Sequence, residues 1–377
     1  MGFQARPAYF LAMRAERIVA RGFRNLRDLD LELPPSGAVF LGPNGHGKTN
    51  LLELLYYPVL YRSLRGARDV DVTCHGEAGF ELALTLRAER TPRELAAGFR
   101  CAGKRKRLTQ DGVEPERLSD AIGHWLAVAF LPTDLHLVQG PASERRQYLD
   151  RVLSLADRAY LRALSAYRRA LAQRNSALRQ RRPDLAGAWN PMLARFGAEL
   201  VRRRMGWIAD HAESFTATCV ALGELAEVTL RYRGDGALAD EAAWPEAFAR
   251  AANRDEALGA TGTGPHRDDV DIRLGGRPLR EVGSTGQHRT AAVALRLCER
   301  ETLAAASGTE PALLLDDVFA ELDAGRQERL AAALQQGAAH QTFITAPRED
   351  ELPVDFHLET LQVENGRVGD ARHPQAV

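Results

Sequence analysis

The 377 residues are 45% apolar and 27% charged, ordinary proportions for a water-soluble protein long enough to bury two cores. Fifty acidic residues balance fifty basic ones, so net charge alone calls for no polyanionic partner; no apolar run reaches the roughly 18 to 20 residues of a membrane span, and the N-terminus lacks the layout of a signal peptide. The four cysteines, Cys74, Cys101, Cys219 and Cys298, show no C-x-x-C spacing, which argues against a zinc ribbon or a disulfide framework and, with the missing signal peptide, for a cytoplasmic protein.

In chain order, residues 1–12 carry no periodicity and read as a disordered extension or as residues upstream of the true start. Alternation over 13–33 predicts strands broken at Gly22-Phe23-Arg24-Asn25, and 38–41 predicts a short buried strand. A glycine loop follows, then a helix over 50–57. Residues 81–88 alternate like a half-exposed strand, 98–108 read as one strand with a basic end, and 128–131 as another buried strand. From 143 to 222 the period is helical, with Tyr160, Leu164, Tyr167 and Leu171 on one face and a break between Pro183 and Pro191, which predicts a helical hairpin. Strands return at 228–232 and 270–274, followed by a helix over 288–306 and strands at 312–315 and 341–345. The expected architecture is an α/β domain of residues 13–140 and 262–377, interrupted by a mainly helical lobe of residues 141–261.

Gly42, Pro43, Asn44, Gly45, His46, Gly47, Lys48 and Thr49 match G-x-x-x-x-G-K-[ST] between a predicted strand and a predicted helix. In that context backbone amides and a helix N-terminus cradle phosphates. The pattern implies ATP with Mg²⁺: Lys48 supplies a charge to the β and γ phosphates, Thr49 a hydroxyl to the metal, and Asn50 continues into the helix. Only 3 of the 50 basic residues are lysine, so a lysine inside this loop is not casual. The apolar run Ala312-Leu313-Leu314-Leu315 ends in Asp316-Asp317. Expected to lie beside the glycine-loop strand, it would put Asp316 on Mg²⁺ and Asp317 where it orients or deprotonates an attacking water. Upstream, Ser284-Thr285-Gly286-Gln287 precedes the predicted helix 288–306, where hydroxyl, amides and helix dipole make an anion site. A second phosphate site in cis would be redundant. Ser284, Gly286 and Gln287 are therefore expected to meet the γ phosphate held by another copy.

The glycine loop, the distant S-x-G-Q signature, the two-acid strand and Glu321-Leu322-Asp323 together resemble an ABC-type P-loop ATPase head, with Asp323 as the D-loop acid. Within that class the chain resembles the RecF family of bacterial recombination mediators. The segments that carry the resemblance are Gly22-Phe23-Arg24-Asn25-Leu26, residues 47–53, Phe130-Leu131-Pro132 with Asp134-Leu135, and Arg145-Arg146 with Leu149-Asp150. Further along come Thr263-Gly264-Pro265-His266-Arg267-Asp268-Asp269, residues 284–290 and residues 313–323. The resemblance implies a slow, DNA-stimulated ATPase that dimerises on ATP. Lys48, Thr49, Asp316 and Asp317 of one subunit would face the signature of the other. It also implies binding to gapped DNA or single-strand/duplex junctions, and work with RecR and RecO to help load RecA. Two positions depart from the pattern. Ala346-Pro347 stands where related ATPases carry a switch histidine, and Thr133 stands where the family has a metal-contacting Glu, leaving Asp134 as the neighbouring acid.

Residues 143–204 hold 15 arginines against 5 acids. A run of charge is more often a solvated helix face, and it is the ATPase class that turns the reading toward DNA. Arg174, Arg179, Arg181 and Arg182 near the hairpin tip, and Arg202, Arg203 and Arg204 on the returning helix, are the candidate phosphate contacts, sequence-independent and salt-sensitive. Residues 104–107 form a second basic patch. His266 beside two acids reads as a hydrogen-bonded structural element rather than a metal or catalytic site. The competing reading with the same ATPase motifs is the ATPase subunit of a membrane transporter; the basic hairpin and the 264–269 run speak against it.

Overall fold

A computed structural model describes residues 14–87, 92–320, 324–335, 340–352 and 358–370. The extension expected over residues 1–12 and the D-loop acid Asp323 lie outside them. The chain divides into two compact units, Met1–Thr133 with Glu299–Val377, and Asp134–Cys298.

In the first unit, alternating apolar and polar side chains build an antiparallel sheet. β1 (Arg14–Phe23) and β2 (Leu26–Glu32) form a hairpin. β3 (Gly37–Leu41) leaves that sheet and leads through the glycine loop into α1 (Lys48–Leu60), followed by α2 (Asp69–Val72). β4 (Gly79–Arg87), β5 (Arg93–Arg100) and β6 (Arg105–Gln110) complete the order β2-β1-β4-β5-β6. The single strand expected over 98–108 is thus two strands. Residues 101–104 turn the chain, with Gly103 at φ 74 and Lys104 at φ 49, values a strand does not accommodate. Arg105, Lys106 and Arg107 therefore stand on an edge strand, where charge discourages pairing with another chain. α3 (Leu118–Ala121) and β7 (Ala127–Phe130) close this part of the chain.

The second unit comprises α4 (Leu135–Gln139), α5 (Ala142–Ala156), α6 (Arg158–Arg179), α7 (Pro183–Gly187), α8 (Asn190–Ala221), β8 (Val228–Arg233), α9 (Trp244–Leu258), β9 (Asp269–Leu274), β10 (Arg277–Pro278), α10 (Leu279–Val282) and the start of α11 (Thr285–Ser307). Pro183 and Pro191 each sit in the first turn of a helix, where a missing N–H costs nothing, so the expected break is the short helix α7. One core joins Leu137, Val152, Leu164, Trp207, Trp244, Ile272 and Leu295. Because α4, β9 and the first half of α11 are needed to bury α5, α6 and α8, the units divide after Thr133 and Cys298 rather than after residues 140 and 261. The lobe also carries a sheet of its own, order β10-β9-β8.

Back in the first unit, β11 (Ala312–Asp316), α12 (Ala324–Gln335), β12 (Thr342–Ala346), β13 (Glu359–Glu364) and β14 (Arg367–Asp370) complete a second sheet, order β14-β13-β3-β12-β11-β7. It is parallel except for the β13–β14 hairpin. β7, β11 and β12 are buried at every position, as parallel strands covered on both faces are. β12 lies between β3 and β11, so the two-acid strand is not the neighbour of the glycine-loop strand, contrary to expectation. Helix α1 is buried around most of its circumference. Edge-on ring contacts Phe23–Tyr57 (5.9 Å) and Tyr57–Phe80 (5.4 Å) fasten it to the antiparallel sheet, each contributing about 0.5–1.5 kcal/mol beyond area burial. The helix whose N-terminus faces the loop is thereby held from below.

Candidate functional site

The loop between β3 and α1 lies at the carboxyl edge of a parallel sheet, where ligands of α/β folds bind, and the first-turn amides of α1 have no intrahelical acceptors. Gly47, immediately before the helix, has φ 113, a conformation that favours glycine. Lys48 is 5% exposed. Its Nζ donates to Gly42 O at 2.6 Å, Pro43 O at 3.1 Å and Asn44 Oδ1 at 3.3 Å, which lays the ammonium across the loop. Thr49 Oγ1 donates to the Asp316 carboxylate, 2.9 Å from Oδ1 and 3.1 Å from Oδ2. Asp316 at the tip of β11 thus reaches α1 even though β12 intervenes.

Thr345, at the end of that intervening strand, joins the two acids. Its Oγ1 lies 2.9 Å from Asp316 Oδ1 and 3.2 Å from Asp317 Oδ1, and it accepts the Asp317 N–H at 3.0 Å. One hydroxyl carries one proton, so it serves one carboxylate at a time. Asp317 has φ 47, a left-handed conformation that costs a non-glycine residue on the order of 1 kcal/mol or more. Burial pushes the Asp316 carboxyl above the usual carboxylate range; hydrogen bonds from Thr345 and Thr49 and the charge of Arg65 oppose the rise, while Asp317 adds to it. Hydroxyl and carboxylate oxygens are the donors a hard cation such as Mg²⁺ takes, so the residues present fit that metal.

Behind the loop lies a network that ties Arg24, Asn25, Asn50 and Glu53 to Arg65. Asn50 Nδ2 donates to Asn25 Oδ1 at 2.8 Å, and Asn25 Nδ2 donates to His46 O at 3.2 Å. Arg65 donates to Asn50 Oδ1 and, through Nε at 3.1 Å, to Glu53 Oε2. Arg24 grips the same carboxylate through Nε and Nη2, each at 2.9 Å. Burial alone would raise the fully buried Glu53, but hydrogen bonds from Arg24, Ser63 and Arg65 outweigh it and hold its carboxyl below the ordinary range. Glu53 is therefore the anchor that keeps Arg65 beside the site, and Arg65 is a cation there that no motif announces.

In the second unit, α11 begins at Thr285, three residues earlier than expected. Ser284 Oγ accepts the Gln287 N–H at 3.3 Å, and Gln287 Oε1 accepts the Ser284 N–H at 3.0 Å. This reciprocal pair is a capping box, which accounts for the serine and the glutamine of the signature on structural grounds. Gly286 lies in the first turn, where its carbonyl accepts from Thr290 Oγ1 at 3.1 Å. Asp134, beside Thr133, is held by Arg296, whose Nε donates to Asp134 Oδ2 at 2.9 Å, so its carboxylate is committed to an ion pair.

The candidate DNA contacts separate into two groups. Arg174 and Arg204 are buried, at 4% and 3% exposure, and cannot reach a phosphate. Arg174 Nη1 donates to Asp255 Oδ2 at 2.7 Å and Thr261 Oγ1 at 2.8 Å; Arg204 Nη2 donates to Asp150 Oδ1 at 2.7 Å and Nη1 to Pro265 O at 2.6 Å. Arg179, Arg181, Arg182, Arg202 and Arg203 are exposed. Arg202 and Arg203 share Glu199, which leaves the three at the α6–α7 junction as the stronger surface. In the 104–107 patch Lys106 is paired with Asp69 at 2.7 Å and Arg107 with Glu114.

His266 is a structural histidine. Its Nε2 lies 2.9 Å from Thr261 O and its Nδ1 2.7 Å from the Tyr167 hydroxyl. A carbonyl only accepts, so Nε2 carries the proton and Nδ1 accepts from Tyr167. Burial lowers its pKa to about 4. The unfolded chain takes up a proton near pH 6.5 that the folded unit refuses until about pH 4, so stability falls as pH drops through that window and is level above it. Between pH 7.5 and pH 5 the loss from this group is about 2 kcal/mol. Urea denaturation at the two pH values is expected to show this, with the difference shrinking by that amount in His266→Gln; an undiminished difference would assign the loss to other groups.

No protein-family model matches the chain. It is 32% identical over 367 residues to the DNA replication and repair protein RecF of Geotalea daltonii, covering 94% of this chain and 100% of that one. It is 35% identical over 368 residues to RecF of a Synechococcus strain (92% and 95% covered), and 34% identical over 370 residues to RecF of Myxococcus xanthus (92% and 96% covered). Among solved structures, one described as the recombination mediator protein RecF with ATP in the RecFOR pathway superposes with TM-score 0.86 at 27% identity, covering 97% of this chain and 99% of that one. A Smc head bound to the C-terminal winged-helix domain of ScpA superposes with TM-score 0.57 at 13% identity, covering 94% and 95%, a likeness of fold alone. The fold is that of an ABC-type ATPase head carrying an inserted lobe. Among the described residues no helix is long and apolar enough to cross a membrane.

Proposed function

The chain belongs to the RecF family, and on that premise we propose that it is an ATP-gated, DNA-binding protein of DNA replication and repair: a recombination mediator that dimerises on ATP around gapped DNA or single-strand/duplex junctions and, with RecR and RecO, helps load RecA. The observation that carries the reading is the meeting of Lys48, Thr49, Asp316 and Asp317 at one sheet edge, with Thr49 hydrogen-bonded to an acid 267 residues away. The loop amides and Lys48 bind the β and γ phosphates. Thr49 and Asp316 would hold Mg²⁺, whose charge offsets that of the phosphates. Asp317 orients or deprotonates the attacking water, and Arg65 adds positive charge beside the acids. Similarity to a solved structure described as the recombination mediator protein RecF with ATP supports the nucleotide assignment.

Dimerisation follows from the signature. Ser284 and Gln287 cap α11; Ser284 takes the Gln287 N–H, and the Thr285 and Gly286 amides at the helix N-terminus are the donors offered to an anion. A second copy carrying a γ phosphate supplies one. ATP then acts chiefly as a closing device, and turnover is slow. Arg179, Arg181 and Arg182 are the favoured backbone contacts, each phosphate neutralised adding roughly 0.9 to the slope of log K against log salt on duplex DNA. Sedimentation with ATP and a gapped duplex tests the scheme. Wild type is expected to run as a DNA-bound dimer, and Lys48→Met and Ser284→Arg as monomers. Dimerisation of both variants like wild type would overturn the composite site, and DNA affinity indifferent to ATP would overturn the gating.

A further inference from the structure

The C-terminal β-hairpin touches the phosphate loop at both of its ends. β13 pairs with β3 up to the last residue before the loop, Gln362 opposite Leu41. A Cβ on Gly42 would lie 2.2 Å from Val363 O, so the loop starts directly against the backbone of β13. At the other end, the Gly366 N–H donates to His46 O at 2.9 Å, and the Asn365 N–H donates to His46 Nδ1 at 3.3 Å. Asn25 Nδ2 donates to the same His46 carbonyl. Asn365 and Gly366 have φ 50 and φ 78, the paired left-handed conformation of a tight hairpin turn. A Cβ on Gly366 would come within 2.2 Å of Asn25 O. Turn, loop and Asn25 are thus in mutual contact, with two donors converging on one carbonyl.

The direction of that carbonyl decides what the next amide can do. In a trans peptide the His46 C=O and the Gly47 N–H point to opposite sides. Two hydrogen bonds that hold the oxygen toward the hairpin turn the Gly47 N–H away from it, as a donor for an anion in the loop. Released, the peptide can rotate and present an acceptor to the phosphates, which repels them. The Asn25 side chain is itself held in register, its Oδ1 taken by Asn50 Nδ2, so its Nδ2 is directed to His46.

We propose that the β13–β14 hairpin and Asn25 form a clamp that fixes the His46–Gly47 peptide and so sets the affinity for a nucleotide triphosphate. Asn25 and Gly366 are positioning residues, acting through the loop. The proposal rests on the reading of this loop as the ATP site. Isothermal titration with ATP and Mg²⁺, together with the nucleotide-free melting temperature and amide hydrogen exchange over residues 42–49, tests it.

Asn25→Ala is expected to weaken ATP about tenfold, the scale of one lost hydrogen bond, and Gly366→Ala, which keeps its N–H but sets a Cβ 2.2 Å from Asn25 O, to do so comparably by displacing the turn. Exchange over 42–49 should quicken while the melting temperature of Asn25→Ala stays put. The exposed Glu364→Ala at the end of β13 serves as the control and should bind as wild type does. Lys48→Met separates the two readings. If it binds ATP like wild type, the ATP site itself is wrong and the clamp goes with it. If it loses ATP while Asn25→Ala and Gly366→Ala keep full affinity, the clamp alone is wrong. Affinity that falls only in step with the melting temperature would reduce both residues to a structural role. Should Gly366→Ala fail to fold, Asn25→Ala decides the matter alone.

Discussion

Arg204→Ala destabilises the second unit by about 3–5 kcal/mol, the range found when one partner of a buried ion pair is removed. The guanidinium joins Asp150, Tyr160 and the Pro265 carbonyl, and Tyr160 in turn donates to Asp150 at 2.6 Å. Without it, Asp150 keeps only the more exposed Arg168 at 2.9 Å among the ion pairs found here, and a carboxylate at 8% side-chain exposure is left short of compensation. Since domains are stable by only about 5–15 kcal/mol, such a loss takes a large share of the folded margin. Urea denaturation should therefore move far more for Arg204→Ala than for Arg181→Ala or Arg182→Ala, which sit in solvent. Any loss of DNA binding in Arg204→Ala should follow unfolding. A variant of wild-type stability that has lost DNA would return Arg204 to the binding surface.

Asp317→Asn is expected to bind ATP almost as well as the native chain while splitting it roughly 10²–10⁴-fold more slowly, the range for removal of a general base or its equivalent. The substitution is clean for a structural reason. Asparagine tolerates the left-handed conformation found at this position, and the backbone N–H that donates to Thr345 is retained. The charge and the proton affinity are lost, and one carboxylate oxygen becomes an amide donor, while the remaining oxygen can still accept from Thr345. Single-turnover hydrolysis measured beside equilibrium binding reads the two effects separately. Hydrolysis at the native rate would limit Asp317 to shaping the end of β11.

The site was legible where its chemistry needs contiguous residues. The glycine loop, the two acids and the signature each occupy a few positions in a row, and the loop and the acids do meet, through Thr49 and Asp316. The order of strands was not legible, because Thr342–Ala346 of β12 is as short as its neighbours and nothing in it says that it inserts between β3 and β11. Arginine 174 and arginine 204 look in sequence like the exposed arginines around them; only burial separates an ion-pair core from a basic surface. Asp255 and Asp150, their partners, lie 81 and 54 residues away. Arg65 and Thr345 belong to no motif. The β13–β14 hairpin did carry a signal, an Asn-Gly pair between alternating residues, which is the strongest short-range mark of a hairpin turn.

Strand β3 has its two partners in β12 and β13, which begin at Thr342 and Glu359. A chain emerging from the ribosome therefore makes the glycine loop early and must wait through roughly 300 residues of synthesis before that strand can be paired on either side. The intervening unit can bury its own core in the meantime. Nucleotide binding thus belongs to a late stage of the molecule's assembly. A chain shortened before the last hairpin would carry every motif of the loop and still lack the scaffold that gives it shape.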